Sequence, residues 1–404
     1  MKNIKDYNLD ELKEEFIKIG EKSYRAEQVF KWLYQEEVTS FDDMTNLSLE
    51  LREKLKKEFT LNNFKILKKQ ESVDGTKKYL FDVLDGNAIE TVLMEYHHGK
   101  TICVSSQIGC KMGCKFCAST GIKFIRNLTS GEIVEQILAV QRDEKTKISN
   151  IVFMGIGEPL DNYDNVLKAI NILNNPKGLN IGARHISIST SGIVPKIYEL
   201  ADRDYQFTLS ISLHATNDEK RSKMMPINNK YNIEELMKAC KYYIKKTNKR
   251  ISFEYALAKD NNDNLEDAKE LVKLLKGMLC HVNLIPINKI ENGQYIKSTN
   301  ENIIKFRDYL NANGITATIR RELGSDIDAA CGQLRRKIYR TGEKSVWRFL
   351  LNQILVKQEI WIKILIMFLN QVKPLVYILL QMVWEATMAV KLLVSLPLYL
   401  LKTI

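Results

Sequence analysis

Cysteine is scarce in this chain: seven residues in 404, and three of the seven, Cys110, Cys114 and Cys117, fall within one short stretch. A secreted disulfide framework would need more of them, more evenly spaced, so that class is excluded and a reducing compartment is expected. The amino terminus, MKNIKDYNLDELKEEF, lacks the apolar segment of a signal peptide and reads as an amphipathic helix. The expected location is cytoplasmic. Glycine and aspartate vanish after Gly342, and the acids of 343–404 dwindle to Glu343, Glu359 and Glu385. Apolar runs follow one another there, yet Arg348, Lys357, Glu359, Lys363, Glu385 and Lys391 interrupt them, so none forms a clean uncharged span of about 20 residues. Three readings stand for this tail: a membrane-associating segment, a buried helical extension, or a sequence that never evolved to fold with the rest, such as a shifted reading frame or a fusion. Its composition favours the last.

Positive charge, by contrast, is in surplus. Sixty Lys and Arg face 49 Asp and Glu, a formal charge of +11, and the chain stays basic without its tail. A polyanionic partner such as nucleic acid fits that surplus, and so does plain solvated lysine surface. Apolar residues make up 45% of the chain, ample material for a core.

Periodicity divides the sequence. Residues 1–62 read as a helical accessory module, with Leu9, Leu12, Phe16 and Ile19 at helical spacing and Val29, Trp32 and Leu33 after the Gly20 break. Residues 63–98 read as a small β segment, KKYLFDVL and AIETVLMEY, turning at Asp85, Gly86 and Asn87. From 99 to 340, β-branched runs at 101–106, 150–154, 185–190, 207–213, 251–257 and 281–286 alternate with helical stretches. That rhythm predicts an α/β fold with a parallel sheet, and six units suit a partial (β/α)6 barrel better than a complete eightfold one. ITATIR at 315–320 is a candidate edge strand.

The strongest local signal is Cys110-Lys-Met-Gly-Cys114-Lys-Phe-Cys117, directly after the first barrel strand. Three thiolates at this spacing can ligate three irons of a cubane and leave the fourth iron open to a chelating substrate. A zinc site of three cysteines and one histidine, with His97 or His98, is the alternative. Position favours the cubane, because the carboxyl ends of barrel strands carry catalysis. The C-x3-C-x2-C pattern, with Phe116 before the last cysteine, resembles the signature of the radical S-adenosylmethionine superfamily. There the amino and carboxylate groups of S-adenosylmethionine chelate the open iron, and one electron from the cluster splits the sulfonium. Gly157-Glu158-Pro159 resembles the element that holds the ammonium of that substrate. Ser189, Ser212-Leu213-His214 and Asn288 also end predicted strands and, with Gly157 and Glu158, complete the implied S-adenosylmethionine site.

Four strings narrow the resemblance further: CVSSQIGCKMGCKFC, VFMGIGEPLDNYDNV, ISLHATND and RRELGSDIDAACGQLRRK. Over about residues 1–340 they are similar, almost segment for segment, to the bacterial dual-specificity RNA adenine C2-methyltransferase family. The family implies one four-iron cluster, two S-adenosylmethionine molecules per turnover, and action on 23S rRNA and on the tRNA adenine beside the anticodon. It further implies that Cys331 accepts a methyl group, that a radical takes hydrogen from this S-methyl, and that the resulting carbon adds to adenine. Cys103 then resolves the adduct through a transient disulfide with Cys331, and Glu90 accepts the C2 proton. Without the resemblance, Glu90 reads as a solvent-facing strand residue, Cys103 as core filling and Cys331 as an inert thiol. An external electron donor such as flavodoxin or ferredoxin, a monomeric state and no stable membrane partner for the core are also expected. Arg320, Arg321, Arg335, Arg336 and Lys337 bracket the Cys331 loop and are candidates for phosphate contact, as are Lys22, Arg25, Lys31 and Trp32 for an RNA stem. The alternatives are the sister family that methylates carbon 8 and a non-catalytic, zinc-stabilised RNA-binding module.

Overall fold

The computed structural model describes residues 1–97, 99–121, 123–203, 205–287, 295–328 and Leu334, all within the compact unit Met1–Lys337. Asn288, Cys331, the basic residues at 335–337, His98 and the apolar tail lie outside the described residues.

The amino-terminal module runs β1 (Lys2–Asn3), α1 (Leu9–Lys18), α2 (Ser23–Tyr34), α3 (Leu49–Glu58) and β2 (Phe59–Thr60), with β1 and β2 paired in parallel. A reciprocal cap starts α1: the Glu11 N–H donates to Asn8 Oδ1 at 2.9 Å, and the Asn8 N–H donates to Glu11 Oε2 at 3.0 Å. Leu9, Leu12 and Phe16 are buried, as their spacing requires. The fully buried Lys5 ammonium pairs with Glu135 on α4 (Ser130–Glu144) and donates to the Asn62 carbonyl and Asn63 Oδ1, both at 2.9 Å. Removing one member of such a pair would cost about 3–5 kcal/mol, because the other charge stays buried.

A meander of β3 (Lys65–Glu71), β4 (Lys77–Asp82) and β5 (Ala88–Tyr96) leads antiparallel into β6 (Gly99–Cys103). β3 is a mostly exposed edge strand, KILKKQE, whose lysines hide it from a search for alternation. A short antiparallel pair, β7 (Gln107–Ile108) and β8 (Arg126–Asn127), frames the cysteine loop. The parallel strands follow as β9 (Asn150–Phe153), β10 (Ile186–Thr190), β11 (Thr208–Ser212), β12 (Ile251–Leu257), β13 (Cys280–Pro286) and β14 (Ala317–Ile319). Between them lie α5 (Tyr163–Asn174), α6 (Val194–Ala201), α7 (Asp218–Met224), α8 (Ile233–Thr247), α9 (Leu265–Leu275) and α10 (Asn300–Ala312).

Among the described residues, ten strands make one sheet in the order β14-β13-β12-β11-β10-β9-β6-β5-β4-β3, with β6 and β9 to β14 parallel. Six parallel strands form the partial barrel expected from the sequence, and β14 adds the edge strand. Among the described residues no helix is long and apolar enough to cross a membrane.

Register places the chemistry. Gln70, Lys78, Val92, Cys103, Val152 and Ser187 are successive partners across β3, β4, β5, β6, β9 and β10. Partners on one register line share a face of the sheet, and Glu90, two residues from Val92, shares it too.

Candidate active site

The cysteine loop is wound tightly by backbone bonds. The Cys117 N–H donates to the Cys114 carbonyl at 3.2 Å, the Thr120 hydroxyl to the same carbonyl at 2.6 Å, and the Lys115 N–H to the Met224 carbonyl at 2.9 Å. Gly109 has φ +78°, and a Cβ there would sit 2.2 Å from the Lys123 carbonyl oxygen, so only glycine lets the loop close. Burial pushes the Cys110 thiol up to about 12, and charge on Cys117 adds to the shift. Burial, then Cys117 and Cys110, raise Cys114 as well. Such crowded thiols become thiolates only around a strong positive charge, which iron supplies. Among the described residues no three His, Cys, Asp or Glu side chains converge as one metal ion would require. A cubane would take its three thiolates on three different irons.

The cysteines open on a cleft of 270 Å³ whose far wall carries Gly157, Glu158, Ser189, Ser212 and His214. Gly157 has φ +110°, and a Cβ would fall 2.6 Å from that of Gln107. Glu158 is buried and bridges two strand ends, accepting the Ser191 N–H at 2.7 Å and the Leu160 N–H at 3.0 Å. Burial raises its pKa, and among the described residues no cation lies within ion-pair distance. An arriving ammonium would supply the missing counter-charge. His214 accepts the Ala256 N–H on Nδ1 at 2.9 Å, which leaves Nε2 as the protonated donor. Burial, then the charge of Arg221, lowers its pKa to about 3, so the ring is neutral. Leu213 departs from the group. Its side chain is fully buried in the core, and its N–H goes to the Glu254 carbonyl at 3.1 Å.

Two residues at this wall, Arg221 and Glu254, escaped the sequence reading. Arg221, fully buried, donates to the carbonyls of Ser191 (2.8 Å), Ser212 (3.1 Å) and Leu213 (3.1 Å) and to Asn228 Oδ1 (3.0 Å), tying the ends of β10 and β11 together. In sequence it sits in DEKRSKM, indistinguishable from a solvated charged helix. Glu254 lines the cleft itself, and so does Arg320, the candidate for phosphate contact. Glu254 accepts from Asn283 Nδ2 at 2.8 Å and from the Ser252 hydroxyl at 3.1 Å.

A second region lies on the antiparallel strands. Glu90 is buried, not solvent-facing, because β5 is covered on both sides; it pairs with the buried Lys78 at 2.7 Å. Cys103 is buried with Val92 and Met94, against Met154 and Leu323. Met154 also lines the cleft, and Leu323 belongs to the segment leading towards Cys331.

Residues 2–61 match the ribosomal RNA large subunit methyltransferase N-terminal domain, and residues 104–275 match the radical SAM superfamily. The chain is 56% identical over 341 residues to the probable dual-specificity RNA methyltransferase RlmN of Clostridium novyi, covering 84% of this chain and 99% of that protein. A relative of the same description from Caldanaerobacter subterraneus is 55% identical over 343 residues, 85% of this chain and all of the relative. A radical SAM methyltransferase crystal structure from Sphaerobacter thermophilus superposes with a TM-score of 0.79 at 43% identity, covering 82% of this chain and 99% of that one. The chain belongs to the RlmN family.

It is therefore a radical S-adenosylmethionine RNA methyltransferase, with a four-iron cluster and S-adenosylmethionine implied by its family and RNA as its substrate. The residues fit both groups: the three loop thiols as cluster ligands, and the buried Glu158 carboxylate as a seat for an ammonium. Held there, these groups would supply one-electron chemistry that yields a carbon radical.

Proposed function

We propose that this RlmN-family enzyme methylates carbon 2 of an adenine in the peptidyl-transferase centre of 23S rRNA and of the adenine 3′ of the anticodon in tRNAs. The observation that carries the reading is one shared sheet face. Cys103 and Glu90 lie on it, Leu323 packs against it, and Met154 joins it to the cleft of the three cysteines. In the scheme, the Cys331 thiolate takes a methyl group by displacement from one S-adenosylmethionine. A second one serves hydrogen removal from that S-methyl. The sulfur-bound carbon then bonds to adenine C2, and the adduct gives up its unpaired electron to the oxidised redox centre and its C2 proton to Glu90. Cys103 attacks the Cys331 sulfur, the bond from that sulfur to the new carbon breaks, and the carbon takes up a proton to become the methyl group. Methylated RNA leaves as the disulfide forms, and external thiols reduce it. Flavodoxin or ferredoxin supplies the electron, and the enzyme works as a cytoplasmic monomer.

Cys103→Ala is expected to trap a covalent RNA–protein adduct visible on a denaturing gel, and its absence would remove the resolving role. Mass spectrometry of digested rRNA should place the methyl on C2; a C8 methyl would reassign the enzyme to the sister specificity. Residues 343–404 lie outside this catalytic unit, so a chain ending at Lys337 should methylate rRNA as well as the full chain does. Lost activity would make the tail part of it.

A further inference from the structure

The Glu90 carboxylate is held by a lysine whose other partner lies far along the chain. Lys78 is fully buried. Its ammonium sits 2.7 Å from Glu90 Oε2 and donates to the Asp328 carbonyl at 2.6 Å, three residues before Cys331. The same hairpin grips the same segment through five more hydrogen bonds. Gln70 Nε2 donates to Asp328 Oδ2 at 3.1 Å, and the Asp328 N–H returns to Gln70 Oε1 at 3.3 Å. The Ser72 hydroxyl bonds the Asp326 carboxylate, the Val73 N–H donates to Asp326 Oδ2 at 3.1 Å, and the Gly324 N–H donates to Asp74 Oδ2 at 2.8 Å. Gln70 and Lys78 are register partners, so the residues that seat the segment at Asp328 stand on the face that carries Glu90 and Cys103.

We propose that Lys78 is a positioning residue that couples the proton acceptor to the methyl-carrying loop, holding the Glu90 carboxylate in place while fixing the stem of the Cys331 loop at Asp328. The proposal rests on the reading of Glu90 as proton acceptor. A buried carboxylate stripped of its cation is driven towards the protonated form, in which it cannot take a proton. An ammonium bonded to both the base and the loop stem makes the base competent where the loop is seated. An apolar residue of similar length would do neither.

The test follows one turnover of cluster-loaded full-length enzyme with an rRNA fragment, comparing wild type, Lys78→Met, Lys78→Arg and Glu90→Gln. Methyl loading of Cys331, appearance of the covalent RNA adduct and its disappearance are read separately. Lys78→Met should load its methyl and form adduct, but clear the adduct on the order of 10²-fold more slowly, the scale of a lost general base. The acid limb of its clearance profile should move to higher pH, and Lys78→Arg should restore most of the rate. A structural role alone would slow loading, adduct formation and clearance together without moving the pH profile, and would overturn the proposal. So would unchanged clearance in Lys78→Met beside a blocked Glu90→Gln. If Glu90→Gln itself clears adduct at the wild-type rate, the proton-acceptor reading fails first and the coupling with it. If Lys78→Met does not fold, Lys78→Arg and Lys78→Gln carry the same comparison, and a normal pH profile in Lys78→Gln overturns the coupling.

Discussion

Two regions of one sheet are built on opposite plans. The cysteine loop and the cleft wall sit at the carboxyl ends of parallel strands, each contributed by a short run of sequence: Cys110 to Cys117, Gly157 to Pro159, Ser212 to His214. The Glu90 region lies on antiparallel strands and joins Gln70, Lys78, Glu90, Cys103 and Asp328, no two of which are sequence neighbours. Local spacing makes the first region, because ligands to one cluster must lie close together on a loop. Register makes the second, because a one-residue slip of β4 against β5 would turn Lys78 to the other face.

The largest effect should come from breaking the local region. Cys110→Ala or Cys114→Ala is expected to abolish the cluster, read as lost iron and lost visible absorbance after anaerobic reconstitution, and all S-adenosylmethionine cleavage with it. A variant that still assembles a full cluster would contradict the three-ligand loop. Next in size, Glu158→Gln removes the buried charge that faces an incoming ammonium. S-adenosylmethionine binding should weaken on the order of 10- to 10²-fold, as expected for a charged hydrogen bond of about 1.5–3 kcal/mol, with the cluster unaffected. Equilibrium dialysis checks this, and an unchanged Kd would move the ammonium elsewhere.

These two predictions also mark what the sequence made legible. The parallel barrel, the cysteine loop and the Gly157-Glu158 turn can be read because their signals are short-range: strand–helix alternation, ligand spacing, a glycine at φ +110°. Lys78 and Arg221 cannot. Each stands among other charged residues, KKYLFD and DEKRSKM, and only the fold shows that both are fully buried. Glu90 becomes readable through family resemblance and its burial only through the structure, since coverage of β5 on both faces leaves no alternation to see. Leu213 marks the converse limit: it stands inside a site motif, and only the fold shows its side chain buried in the core.

The smaller effects concern pH. Burial holds His214 at about 3, below its ordinary 6.5, so the unfolded chain binds the extra proton first. The stability gained is full above about pH 6.5 and falls as pH drops towards 3, and His214→Gln should flatten that decline in thermal unfolding. A decline of equal slope in the variant would rule the imidazole out. The Gly324 N–H, before its other partners, holds Asp74 down to about 2. Its contribution to seating the segment before Cys331 is complete above about pH 4 and lost as pH falls towards 2. Asp74→Asn should mimic that loss at neutral pH through modestly faster proteolysis near Gly324, and unchanged cleavage would remove Asp74 from the clamp.

The proposed function divides the labour between two sets of residues: the cysteine loop would hold the cluster, and the Cys331 sulfur would carry the methyl. Cys331→Ala, assayed with cluster, S-adenosylmethionine, reductant and rRNA, separates them most directly. The expected result is a full cluster and continued formation of 5′-deoxyadenosine, with no methyl on RNA. Methylated adenine from that variant would contradict the account at its centre.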